Sequence, residues 1–284
     1  MKTNALLVAA VAAFSSPALA APDAATDSAG RILIDWRPAP EMRYIHSSSS
    51  KSRTSVKQPN QKESHTVADV LTNIILIETG PREFDGTQPL SILLRDSHAQ
   101  AFTQMLRPLQ RESPLKDYAG IRAELNLRPD GTLKLSDADV KGKPIKPALQ
   151  TLYSMAKNVL YPFPPARKHL AVGESWEASE FRRLPVQRAL VDVEVLRKIT
   201  VANITPGTID FKTDIVVRPR YPDQGQAMFG RGSGTWTLSR VFGVFIHANE
   251  KLVTESKVLG PKGWLLFKSD TETELVTEPE PLKK

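Results

Sequence analysis

Residues 189 to 217 carry the pattern that most restricts what this chain can become. Ala189, Val191, Val193, Val195, Ile199 and Val201 share one parity, and Asp192, Glu194 and Lys198 hold the other. After the turn "NITPGT", Ile209, Phe211, Thr213, Ile215 and Val217 alternate with Asp210, Lys212 and Asp214. A period of two places each parity on its own face of a strand, so these are two antiparallel strands with one dry and one wet face. A slip of one residue would turn every valine into water, so the register is strongly specified.

Most of the remaining chain has the same character. "RILIDW" from 31, the β-branched run 67 to 79, "LSILLR" from 90, and "AMFGRGSGTWTLS", "GVFIHANEKLVTESKVL" and "WLLFKSDTETELV" after 226 all read as strands. Ile121, Ala123, Leu125 and Leu127 alternate with charged or polar residues before Asp130-Gly131, the signature of a tight hairpin. Two stretches are ambiguous. Residues 43 to 65 are rich in serine and lysine, and fit either disorder or an edge hairpin with Pro59 and Asn60 in its loop. Residues 97 to 110 suit a short helix ended near Pro108.

One segment has helical spacing. In "KPALQTLYSMAKNVLYPFPP", Leu149, Leu152, Tyr153, Ala156, Val159 and Leu160 form one apolar stripe between Pro147 and Pro162. A large sheet must curl or split, and a lone amphipathic helix must bury its stripe. The expected fold is therefore mainly β (α+β). It is a curved antiparallel sheet of roughly ten strands, a half-barrel, wrapped on one long central helix at about 147–160. No linker divides residues 31–278, so they are expected to form one domain. Its parts are a first sheet half (31–144), the helix (145–161), a corner (162–185) and a second sheet half (186–278), with 279–284 as a tail.

The N-terminus predicts the compartment. Lys2, the apolar run 5 to 14 and "SSPALA" make a secretory signal peptide over residues 1–20, cleaved after Ala20, with 21–30 a flexible lead-in. That implies a periplasmic or secreted protein that does not span the membrane by a helix. The 284 residues include no cysteine, which excludes disulfides, thiolate catalysis and cysteine-ligated metals. The net charge of +7 is spread along the chain without interleaved aromatics, so no nucleic-acid partner is expected.

Motifs for chemistry are sparse. Gly173-Glu174-Ser175 resembles half of a serine-hydrolase elbow, but that elbow needs a strand before it and a helix after it. Here three prolines precede the motif and a strand follows soon after, so Gly173 is expected to turn the chain and Trp176 to anchor the corner by packing. "FGRGSGTW" lacks the lysine of a phosphate loop; Gly230, Gly232 and Gly234 share one parity and mark a bend, or a place where the helix or a ligand meets the backbone. The five histidines show no ligand spacing, and Asp137 with Asp139 read as turn caps. No catalytic residue, metal or cofactor is expected.

The residues "FPPARKHLAVGESW" and "FGRGSGTWTLSRVFGVFIHA" carry a resemblance. Through Pro164, Val172, Gly173, Glu174, Ser175, Trp176, Gly230, Gly232, Gly234, Gly243 and Phe245, the chain resembles exported bacterial proteins of unknown role with a Val-Gly-Asp/Glu-Ser/Thr-Trp turn. The resemblance covers chiefly residues 145 to 276. The strand-helix-strand order also resembles the periplasmic lipoprotein-carrier fold, and that likeness implies a bound acyl chain. The expected function is thus non-enzymatic binding of an apolar or amphipathic envelope molecule, such as a lipid, between sheet and helix. Leu152, Tyr153, Ala156, Val193, Val195, Phe211 and Ile215 are the candidate lining residues. The alternatives are an accessory protein binding an envelope protein partner, and a hydrolase using Ser175.

Overall fold

The computed structural model describes residues 31–34, 36–57, 65–103, 108–109, 113, 115–135, 146–162, 169–186, 189–221, 227–260 and 263–282. The expected signal peptide and lead-in, the loop residues Pro59 and Asn60, Asp137 and Asp139, and Pro164 lie outside the described residues.

The strands are β1 (Ile32–Leu33), β2 (Met42–Lys57), β3 (His65–Thr79), β4 (Gln88–Thr103), β5 (Pro108–Leu109), β6 (Arg122–Leu127) and β7 (Leu133–Leu135). Helix α1 (Lys146–Leu160) follows, then β8 (His169–Leu170), β9 (Ser175–Val186), β10 (Ala189–Ile204), β11 (Thr208–Pro219), β12 (Ala227–Ser239), β13 (Val244–Gly260) and β14 (Gly263–Pro281). One 12-stranded sheet runs β7-β6-β4-β3-β2-β14-β13-β12-β11-β10-β9, with β5 beside β4, while β1 and β8 form a separate pair. Every pairing is antiparallel; β14 against β2, from Leu266 beside Lys57 to Pro281 beside Met42, joins the two halves into one sheet.

Three sequence expectations are corrected. Residues 42 to 57 are neither disordered nor an edge: β2 is bonded to β3 on one side and β14 on the other. Serine has little strand propensity, but both backbone edges of this run are satisfied by neighbouring ladders. Residues 97 to 103 continue β4 rather than forming a helix. A bulge places Ile74 opposite Asp96 and Ile75 opposite Leu94, leaving Arg95 extra. That extra residue flips the parity, so the alternation seen in sequence breaks while the strand continues. The expected tail also begins too early, since β14 reaches Pro281.

The helix stands where its spacing placed it, but its role differs from the expected one. Its 15 residues span about 22 Å, whereas eleven adjacent strands make a sheet about 50 Å wide. It therefore covers one part of the sheet and is not a central axis. Leu152, Ala156, Val159 and Leu160 pack with Tyr44, Ile75, Ile77, Leu90, Ile92 and Leu125. A second cluster at the same end lies under β1 and β8. There Ile34, Trp36 and Leu170 cover Ile199, Phe211, Trp236 and Phe245, and Tyr161 touches both clusters.

The third cluster is made by the sheet alone. Val186, Val191, Val193, Val195, Ile215, Val217, Met228, Val258 and Phe267 are buried together, and every one belongs to β9–β14. No residue of α1 joins them, so this part of the inner face packs its own side chains together away from the helix. The three glycines of β12 lie on that face. A Cβ at Gly232 would sit 2.3 Å from the Lys251 carbonyl oxygen, and one at Gly234 would sit 2.7 Å from Glu250 Cγ and 2.9 Å from Thr213 Oγ1. What approaches these glycines is thus the neighbouring strand and its side chains, rather than the helix.

The cleared space is used by charge. Arg197 on β10 reaches across β11 and β12 to Glu250 on β13, with 3.5 Å between Nη2 and Oε2. The second Glu250 oxygen accepts a 3.1 Å hydrogen bond from Trp236 Nε1. Side chains at 232 and 234 would block this strut, which links strands that are not neighbours.

Another buried polar group titrates. His46 shares the inner face with Tyr44 and its Nδ1 lies 3.0 Å from Thr277 Oγ1. Burial lowers its pKa from 6.5 to about 4. Between those values the unfolded chain takes up a proton that the folded chain refuses, so the stabilisation is complete above pH 6.5 and is lost as pH falls toward 4. Urea titrations across this window should show a loss of about 3 kcal/mol attributable to His46. His46→Gln should flatten that slope; an unchanged slope would assign the acid sensitivity to other groups.

Candidate functional site

The corner around Ser175 forms by local rules. Glu174 N–H donates to Ala171 O at 3.1 Å and closes a turn whose third residue, Gly173, has φ +88°. That is the position where a type II turn requires glycine. The Glu174 carboxylate accepts the Ala171 N–H at 3.0 Å, and Gly173 N–H donates to Val201 O at 2.9 Å, docking the turn on β10. Trp176 is half-buried and meets Phe211 edge-on with centroids 6.0 Å apart. Ser175 opens β9 opposite Thr200 and faces solvent. It lies in a paired strand followed by more strand, which is not the strand-to-helix turn that aims a nucleophile at an oxyanion site.

The seven candidate lining residues fall in three places. Leu152 and Ala156 belong to the helix cluster, Phe211 to the cluster under β1 and β8, and Val193, Val195 and Ile215 to the cluster made by the sheet alone. These six are buried, while Tyr153 is half-exposed and packs against the helix cluster.

Tyr153 also lines a cleft of about 390 Å³. One wall is the β6–β7 turn, from Asp130 to Leu133. The second is the outer face of α1, with Tyr153, Lys157 and Asn158, and the chain just after it, with Tyr161 and Pro162. Ser179 and Glu180 of β9 form the third. β7 and β9 are the two terminal strands of the sheet order, so the cleft is the seam where the two sheet edges approach the helix. Tyr153 OH donates to Leu133 O at 3.3 Å and holds the hairpin against α1.

The seam is amphipathic. Leu133, Tyr153, Tyr161 and Pro162 offer apolar surface, with Lys157, Asn158 and Thr132 beside them. Glu180 is engaged by Arg182, Nη2 to Oε2 2.7 Å. Asp130 accepts the Thr132 N–H at 2.9 Å, and that backbone bond holds its carboxyl below the usual range. Among the described residues no group of three or more His, Asp or Glu is placed to hold a metal ion.

Sequence reasoning missed the strut and most of the seam. Arg197 and Glu250 each stand on a buried parity, between Val195 and Ile199 and between Ala248 and Leu252. A charge on an apolar parity was the available signal. The cleft walls come from segments far apart in sequence, and no local pattern announces them.

No family model matches the chain, and no curated protein matches it. Among solved structures it is similar to lipovitellin, described for its lipid-protein interactions, with TM-score 0.46 and 9% identity over 87% of this chain and 26% of that one. The chain thus spans about a quarter of the length of the lipovitellin chain. An outer membrane channel from Pseudomonas putida F1 follows at TM-score 0.24 and 9% identity, covering 85% of this chain and 97% of that one. The translocator domain of the Neisseria meningitidis autotransporter NalP gives 0.17 and 9%, covering 84% and 88%. At these scores the likenesses carry no functional weight. Among the described residues no helix is long and apolar enough to cross a membrane.

Proposed function

We propose that this chain is an exported, non-catalytic binding protein that holds an amphipathic molecule at the seam between its sheet and its helix. The observation that supports this is the cleft of about 390 Å³ joining Tyr153 of α1 to both terminal strands, a volume within the range of small-molecule sites, roughly 300–1,000 Å³. The apolar part of the ligand lies against Leu133, Tyr153, Tyr161 and Pro162, and its polar end meets Lys157 and Asn158. Affinity then comes from buried apolar area, about 25 cal/mol per Å², less the cost of ordering the ligand. The curved sheet is the rigid half-barrel that carries the seam.

Native mass spectrometry of protein isolated gently from the cell envelope tests this. A mass adduct removable by organic solvent is expected. Ser179→Trp, at an exposed position in the cleft wall, should weaken binding of a fluorescent fatty acid by about 10-fold while leaving the melting temperature unchanged. A bare mass, with equal probe binding by the variant, would sink the proposal.

A second reading rests on β9. Its 12 residues pair with β10 on one side only among the described residues, and a long edge strand is a template for an added strand from a protein partner. In-cell crosslinking from Glu177 separates the two, since a lipid carrier should not trap one protein in stoichiometric yield.

A further inference from the structure

Away from the seam, one end of the sheet carries an unusual surface. The last residues of β2, β9, β11 and β13 meet the first residues of β3, β10, β12 and β14 there. Phe181, Leu190, Phe229 and Leu259 are each 56–60% exposed at this end, joined by Tyr221 and Trp264. Further along the outer face the strands carry charges in register, Lys198 beside Asp214 and Lys251 beside Glu272. That region belongs in water, and on the outer face of β9–β14 the apolar side chains with the largest exposure gather at this end, with Val216 and Val253 less exposed further along. Clustered exposed apolar side chains of this size mark an interaction site.

The charge around them names the partner. Among the described residues, three acids at this end have cationic partners: Asp192 has Arg183 at 2.7 Å, Glu194 has Arg218 at 2.7 Å and Glu255 has Lys268 at 3.5 Å. Arg220 instead lies over the rings of Phe181 and Tyr221, at 4.3 and 5.2 Å, and Lys257 lies 4.6 Å from the centroid of Trp264. Lys57 and Lys257 both stand opposite Leu266. Among the described residues cations are therefore in excess here, and Arg220 and Lys257 are held against the apolar side chains themselves. Aromatic and leucine side chains interleaved with lysine and arginine are what the boundary between anionic headgroups and acyl chains accepts.

We propose that this end of the sheet docks on the surface of an anionic bilayer. Leu259, Phe229 and Trp264 enter the headgroup boundary, to a depth of about 5–10 Å. Arg220 and Lys257 meet phosphate or carboxylate groups of the lipids, and the charged outer face stays in water. The proposal is independent of the seam ligand, because it uses none of the cleft residues.

Vesicle flotation tests it, with the full chain, phosphatidylglycerol-containing vesicles and pure phosphatidylcholine vesicles. Flotation with the anionic vesicles is expected, about 10-fold weaker with neutral ones and lost at high salt. Phe229→Ser with Leu259→Ser, and separately Arg220→Glu with Lys257→Glu, should each reduce it by about 10-fold. Unchanged thermal midpoints would show that the variants fold. Trp264 gives a readout that needs no variant: its emission should shift to the blue when anionic vesicles are added. Equal flotation with both lipids, no flotation with either, or variants that float like the parent would overturn the proposal. So would self-association of the vesicle-free protein through this end, which would assign the surface to a second copy of the chain.

Discussion

Gly232→Ala should destabilise this protein by about 3 kcal/mol or more, although it adds a single methyl group. The new Cβ would lie 2.3 Å from the Lys251 carbonyl oxygen and 3.1 Å from Leu252 Cα. Both are backbone atoms, so no rotamer change relieves the clash, and β12 must separate from β13. Conformational preference has no part in this, since Gly232 does not have positive φ. Gly207 provides the control, because nothing lies within 4 Å of a Cβ there; Gly207→Ala should change stability by less than about 0.5 kcal/mol. Urea unfolding of both variants reads the difference. Equal losses would mean that the curl is softer than the glycine contacts imply.

The second large effect is expected at Glu250. Glu250→Ala should cost about 3–5 kcal/mol, the usual penalty for leaving one half of a buried ion pair. Arg197 and Glu250 side chains are only 15% and 18% exposed, so water replaces the missing carboxylate only in part. Trp236 Nε1 loses its acceptor in the same change. Arg197→Met combined with Glu250→Leu should recover most of the loss, because an apolar pair of similar volume removes the buried charge altogether. If the double variant were as unstable as the single one, the strut would contribute shape rather than charge balance. A loss below about 1 kcal/mol for Glu250→Ala would show the pair to be solvated.

How much of this was legible depends on how local each feature is. The alternation of Val191 to Val217 named its faces correctly, because side-chain parity in a strand is a local property. The bounds of α1 followed from its stripe and flanking prolines, and Gly173 from the demand of its turn. The place of β2 did not follow. Ser47 to Ser50 carry little propensity of any kind, and only the ladders from β3 and β14 make them a central strand. The bulge at Arg95 hid the second half of β4 by reversing its parity. The seam was half legible: Tyr153 was marked by the helix stripe, but its partners Asp130, Leu133, Ser179 and Glu180 come together only when the sheet curls.

The pairing of β14 with β2 sets the order of events when the chain folds. His46 and Thr277, 231 residues apart, hydrogen-bond across that junction. Until the last strand arrives, β2 and β13 each present a bare edge, and the first half of the sheet has no neighbour on one side. Contacts of such long range form slowly, because the loop they close costs entropy before any pairing compensates for it. The sheet can be completed only after β14 has been released, so during synthesis the strands before it need protection from pairing with other chains.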